Sequence, residues 1–234
     1  MNLLNAPSIH STKPLAQVIG EGDIKELKRR LENGLNANTI MDDESKKSLL
    51  MLAAAKANLS MLQLLLQFGA DVNYKSPQHS TALIELVQQE ELKDFKACLD
   101  CLKKYGVNLE EKGLADETAF FFACNKTTID AAVHLYLAGA NINASTANGS
   151  PLHLAAYNNN AELAGYLICK GAQIIPDSKG ETATDCAKPN TEARRLLSGP
   201  RLQVVLLEQA RIIELGTFKK IYKKLQYREL GKHA

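Results

Sequence analysis

Cys98 and Cys101 stand three apart in the stretch CLDC. That spacing suits part of a metal site such as zinc. A closed zinc site needs about four ligands, and neither a second cysteine pair nor a nearby histidine supplies the rest. The histidines at 10, 79, 134, 153 and 233 form no ligand spacing with cysteine or carboxylate. Acidic pairs occur at Asp42-Asp43, Glu90-Glu91 and Glu110-Glu111, each in a stretch that reads as a turn. Solvated loop charge is the reading they invite. Neither a glycine-rich phosphate loop nor a nucleophile elbow occurs. The sequence therefore predicts no catalytic residue, no metal site and no cofactor.

The elements that carry these residues explain them better. Counted back from Gly106, Cys98 and Cys101 fall on the buried face of a helix, where an unpaired cysteine acts as a small hydrophobe. Cys124 and Cys186 take small or apolar slots in the same way. Phe120, Phe121 and Phe122 follow one another in AFFFAC, and three consecutive residues span about 300° of a helix. One ring must leave the core direction, and Phe121 is the expected one.

A period organises the chain. Gly34, Gly69, Gly106, Gly139 and Gly171 recur at intervals of 35, 37, 33 and 32 residues. Each closes a unit. From Lys13, Ser48, Thr118 and Ser150 to the closing glycine is 21 residues; from Thr81 to Gly106 is 25, so the third unit carries four extra. Ser48, Thr81, Thr118 and Ser150 suit a helix N-cap. Pro14 and Pro151 suit the first helical position. A small apolar helix follows, as in LLMLAAA and PLHLAA, then a second helix with apolar residues three and four apart. The glycine ends it in a left-handed conformation. A short extended piece such as ADVN leads onward.

SPLHLAA at 150–156, GADVN at 69–73 and GANIN at 139–143, together with the period, closely resemble the ankyrin repeat family. The resemblance covers roughly residues 13–188, with a partial sixth unit at 177–187. It implies an all-α ankyrin-repeat solenoid of stacked helix-turn-helix units with protruding turns, its first unit a diverged cap. Domain bounds follow: 1–188 for the array and 189–234 for a C-terminal helical cap with a basic amphipathic tail. Only His153 fills the family's histidine position, which organises neighbouring turns by hydrogen bonding. Ala16, Met51, Ile84 and Phe121 stand there in the other units.

Such a stack spends its apolar faces on its neighbours, leaving the turn tips and the concave wall of first helices free. A preorganised surface loses little ordering entropy on binding. The resemblance thus implies a non-enzymatic protein-protein interaction module or adaptor whose partner is another protein, with no small-molecule substrate. Tip candidates are Met41, Asp42, Asp43, Tyr74, Lys75, His79, Lys112, Asp116, Ser145 and Asn148. Inner-wall candidates are Lys56, Asn58, Lys126, Tyr157, Asn158 and Asn159. Tyr74 and Tyr157 are the preferred anchors, since tyrosine offers much area with few rotors.

The last fifth differs. RLQVVLLEQARIIELG reads as a helix that covers the open end of the stack. In FKKIYKKLQYREL, Phe218, Ile221, Tyr222 and Leu225 form one stripe, while Lys219, Lys220, Lys223 and Lys224 lie opposite. Six Lys/Arg minus one Glu give residues 216–234 a charge of +5, and the chain's +2 leaves −3 for the rest. A basic amphipathic helix of this kind can cap the stack. It also suits an anionic membrane or nucleic acid, which makes a tethered scaffold the alternative reading. A divergent ankyrin array with a helical tail further resembles bacterial effectors that act on host proteins. Five scattered cysteines, an opening stretch without a basic segment and apolar core, and apolar runs of about seven residues (against the ~20 of a membrane span) suggest a reducing cytoplasm.

Overall fold

The computed structural model describes residues 13–89, 94–126 and 129–199. Among them are twelve helices and two isolated antiparallel bridges, Ile40 with Ser48 and Thr146 with Gly149. The expected terminal helix after residue 200 and the basic tail, with Lys219, Lys220, Lys223 and Lys224, lie outside the described residues.

The helices pair into six hairpins: α1 (Leu15–Glu21) with α2 (Ile24–Glu32), α3 (Leu49–Ala54) with α4 (Leu59–Gln67), α5 (Ala82–Val87) with α6 (Phe95–Lys104), α7 (Ala119–Cys124) with α8 (Asp130–Ala138), α9 (Pro151–Tyr157) with α10 (Ala161–Cys169), and α11 (Ala183–Cys186) with α12 (Glu192–Ser198). The odd-numbered helices pack in sequence as an inner row. α2, α4, α6 and α8 form an outer row, and α10 packs on α12. The fold is an all-α ankyrin-type solenoid.

The inner helices start where their caps dictate. Ser48 Oγ accepts from Met51 N at 3.2 Å, Thr81 Oγ1 from Ile84 N at 3.2 Å, and Thr118 Oγ1 from Phe121 N at 3.3 Å. Outer helices have caps of their own. Asp23, Asn58 and Asn160 accept from Glu26 N, Met61 N and Leu163 N at 3.1, 3.1 and 3.0 Å. The closing glycines hold φ between 81° and 106°, and a β-carbon at any of them would meet no atom within 4 Å. Conformation, and not space, requires glycine there. Ala53, Ala54, Ala82, Ala119, Ala123, Ala155 and Ala156 are buried between inner helices and let them approach.

Four details differ from the sequence-based expectation. The sixth hairpin is complete: α12 packs on α9, α10 and α11, so the expected array boundary at 188 falls inside a hairpin. Pro14 is the residue before α1 and not its first helical position, because its ψ of 146° is extended while its carbonyl already accepts from Val18 N. Phe122 is the half-buried ring of AFFFAC, while Phe121 is 8% exposed. The pieces expected to be extended close as turns, since Asp71 Oδ1 takes Asn73 N at 2.9 Å and Asn141 Oδ1 takes Asn143 N at 2.9 Å. The first helix of the third unit is not lengthened by the four extra residues, since α5 has six residues like α3 and α7.

Candidate functional site

Successive units are stitched by a polar ladder. Asn38 Nδ2 donates to Gly69 O at 3.0 Å and its Oδ1 accepts from Asp71 N at 2.7 Å. Asn73 repeats both bonds one unit on, to Gly106 O at 3.1 Å and from Asn108 N at 2.7 Å. Glu110 Oε1 takes Asn141 N at 2.8 Å, and Asn143 Oδ1 takes Gln173 N at 2.9 Å. All four side chains of this ladder sit four residues after a closing glycine. The ladder fixes the spacing of the tips, and hence of anything the tips carry.

His153 does the same work at one inner-row junction. Ser150 N donates to its Nδ1 at 3.1 Å, which leaves the proton on Nε2, and that N–H donates to Glu181 O at 2.9 Å. The ring is 3% exposed. Gly149 lies so close that an added β-carbon would sit 2.7 Å from the ring's Cγ. His153 is thus a structural bridge between the fifth and sixth units.

The cysteines pack as the sequence suggested. Cys98, Cys101, Cys124 and Cys169 are buried, and all five are free thiols. Burial pushes the Cys98 thiol up to about 12 and the Cys169 thiol up to about 11, and raises Cys124 further. Cys98 Sγ donates to Ala57 O at 3.4 Å. Such thiols are poor nucleophiles. One cluster the sequence did not single out brings donor atoms of Asp177, Glu181 and Cys186 within 4.8 Å of one another. Asp177 Oδ1 is spent on Lys179 N and Glu181 N at 2.8 and 3.0 Å, and these bonds hold its carboxyl below the ordinary range. Burial and the neighbouring carboxylates raise the Cys186 thiol. The arrangement is a closed turn beside a protonated thiol.

The sequence-predicted contact residues divide sharply. Several serve the fold. Asn58 caps α4. The half-buried Tyr74 donates its hydroxyl to Lys46 O at 2.9 Å. Lys75 pairs with Glu111 at 2.9 Å. Lys126 Nζ donates to Gln88 O and Gln89 O at 2.9 and 3.3 Å. Asn158 Nδ2 donates to Asn125 Oδ1 at 3.0 Å, and Asn159 Oδ1 accepts from Ala193 N at 3.4 Å. Met41 packs half-buried on the core. Others stay at the surface: Asp42 with Lys46 at 2.6 Å, Asp43 closing its own turn through Ser45 N, and Lys112 with Asp116 at 3.9 Å. His79 and Asp116 occupy the tips with φ of 58° and 61°. Lys56, Ser145, Asn148 and Tyr157 are exposed.

Two of these, Asn148 and Tyr157, meet in one place. A cleft of about 520 Å³ opens in the angle between inner helices α7, α9 and α11 and the turns before them. Phe121, Leu154 and Tyr157 give it an apolar wall, and Tyr157 is 66% exposed. Glu117, Asp177 and Glu181 place three carboxylates at it, against one cation, Lys179. The Glu117 and Glu181 carboxylates make no ion pair or hydrogen bond among the described residues. Sequence reasoning missed Glu117 and Glu181, since they are 64 residues apart and meet only through the stack. Tyr74, Lys56 and the tips of the first three units lie elsewhere.

Comparison with known proteins agrees with this architecture. A family model of three ankyrin repeat copies matches residues 91–177 and 119–200, and the single ankyrin repeat model matches 46–77. The crystal structure of the human ASB11 ankyrin repeat domain superposes with a TM-score of 0.52 at 21% identity, covering 83% of this chain and 97% of that one. Ankyrin repeats generally act as protein-protein interaction modules. Matches over 46–77 and 91–200, on six hairpins joined by glycine stops and a polar ladder, place the chain in the ankyrin repeat family.

Proposed function

We propose that this chain is a non-enzymatic adaptor that grips a protein partner at the inner wall of its last three units. The cleft carries this reading. It offers a protruding tyrosine, a leucine and a phenylalanine beside two unpaired carboxylates. A protein segment that presents an apolar side chain next to Lys or Arg complements that surface. Tyr157 is the anchor: a large ring, mostly exposed, held on a helix end. The buried, protonated thiols suit a reducing compartment such as the cytoplasm.

The test is partner capture with the unaltered chain, with Tyr157→Asp and with Glu117→Lys. Both variants should lose the same captured protein and keep the melting temperature. Leu137 is 68% exposed on outer helix α8, and Leu137→Asp should keep it. Capture that survives both cleft variants and fails with Leu137→Asp would move the binding surface to the outer row.

A further inference from the structure

The cleft and the sequence's most basic segment are complementary in sign and in pattern. The cleft holds three carboxylates to one lysine, with an apolar wall. Residues 216–234 carry +5 against −3 for the rest of the chain, and Phe218, Ile221, Tyr222 and Leu225 recur at helical spacing opposite four lysines. A cleft of about 520 Å³ takes a few side chains from one such stripe. Glu117 and Glu181, lacking a cation among the described residues, would then face Lys219 and Lys224, which border the stripe at about 110° on either side.

The chain leaves the described part at Gly199, just past α12, and α12 packs on α9, which carries Leu154 and Tyr157. Sixteen residues, 200–215, lie between that point and the basic segment. Helical, as the sequence reads, they span roughly 24 Å, and extended roughly 55 Å; either length reaches across adjacent packed helices, whose axes lie about 10 Å apart. A short tether raises the effective concentration of the segment at the cleft to about the millimolar range. Weak individual contacts suffice under that condition.

We infer that the chain's own segment 218–225 docks in the cleft formed by Glu117, Leu154, Tyr157 and Glu181, and so competes with an outside partner for it. This rests on the reading of the cleft as a binding surface. Docking of this kind makes the adaptor self-blocked, and it predicts that a partner with a stronger basic-apolar motif displaces the tail.

The chain has no tryptophan, so Tyr222→Trp in the 234-residue chain creates a single reporter. The expected result is blue-shifted emission shielded several-fold from acrylamide. Adding Glu117→Lys and Glu181→Lys should return it to solvent-like emission and full quenching. The charge-matched control Glu32→Lys with Asp100→Lys, on α2 and α6, should leave the shielding intact. Thermal melting monitored by circular dichroism checks that each variant folds. Solvent-like emission in the parent, or shielding that survives the cleft reversals, overturns the inference. So does shielding that fades on dilution, which places the segment in a second copy. Shielding that arises only with phosphatidylserine vesicles also overturns it. If partner capture is lost in the cleft variants while the reporter is never shielded, the adaptor reading stands and tail docking alone fails.

Discussion

Replacing His153 with alanine should loosen one junction of the stack and leave the others closed. The magnitude follows from what the ring touches. Ser150 N is buried and donates to Nδ1 at 3.1 Å; without the ring that donor is stranded, which costs about 1–3 kcal/mol. Nε2–H donates to Glu181 O at 2.9 Å. Glu181 is exposed, so water replaces part of this bond, and its loss costs about 0.5–1 kcal/mol. A ring that is 3% exposed also leaves a gap, and the three effects together come to about 3 kcal/mol.

Neighbouring repeats unfold with only partial cooperativity, so the loss belongs mainly to the fifth and sixth units. Amide hydrogen exchange reads that directly. Protection in α9 to α12 should fall roughly a hundredfold, since each 1.4 kcal/mol is about tenfold. Protection in α3 to α6 should hold. A fall in α9 to α12 of less than about threefold, near 0.7 kcal/mol, would show that His153 bridges nothing of consequence. A uniform loss along the whole chain would refute the nearest-neighbour reasoning.

Three further outcomes are expected. Tyr74→Phe removes the bond to Lys46 O and should cost about 1 kcal/mol in urea unfolding, whereas Tyr157→Phe should cost nothing measurable. Asn73→Ala deletes two ladder bonds at an exposed site and should cost about 1 kcal/mol; Asn148→Ala, at a cleft-lining tip, should be neutral in the same assay. Alkaline pH should destabilise the fold. Cys98 and Cys169 ionise near 9 when unfolded but at about 12 and 11 when folded, so unfolding releases protons and stability falls as pH rises. Their contribution is full below pH 9 and is lost between about 9 and 12, at about 1.4 kcal/mol per thiol per unit. The urea midpoint at pH 8 and pH 10, compared with Cys98→Ala, isolates one thiol's share.

What the sequence revealed tracks how locally each feature is decided. The caps at Ser48, Thr81 and Thr118 act three residues away, and the glycine stops act on their own φ, so both are written in adjacent letters. The ladder is written too, as Asn at 38, 73 and 143 with Glu at 110. Its partners lie 30 to 35 residues on, beyond any helical or strand period, and so its meaning appears only in three dimensions. α12 escaped notice because the sixth unit lacks the long apolar second helix of the others. The contact residues were hardest. Exposure at a tip does not tell a free side chain from one, like Tyr74 or Asn158, that is bonded to the neighbouring unit.

That distinction also decides where along the stack a partner is held. The fourth position after each inner cap is Leu52, Glu85, Phe122, Leu154 and Cys186 in successive units, half-buried everywhere except at Glu85. In the third unit the row is polar, yet Glu85 is 5% exposed and is consumed by Lys47 at 2.9 Å and Ser80 Oγ at 2.8 Å. Leaving that carboxylate unpaired would cost several kcal/mol, so it is not offered to a ligand. Beside it, Lys126 is spent on Gln88 and Gln89. The third unit is thus closed by its own salt bridge and capped carbonyls. Among the described residues, only past it do apolar surface, a protruding ring and unpaired carboxylates coincide. If Lys47→Met frees Glu85 while folding survives, the binding surface should extend one unit toward the N-terminus and gain affinity for basic segments. Unchanged binding would show that the wall's limits are set by shape and not by charge.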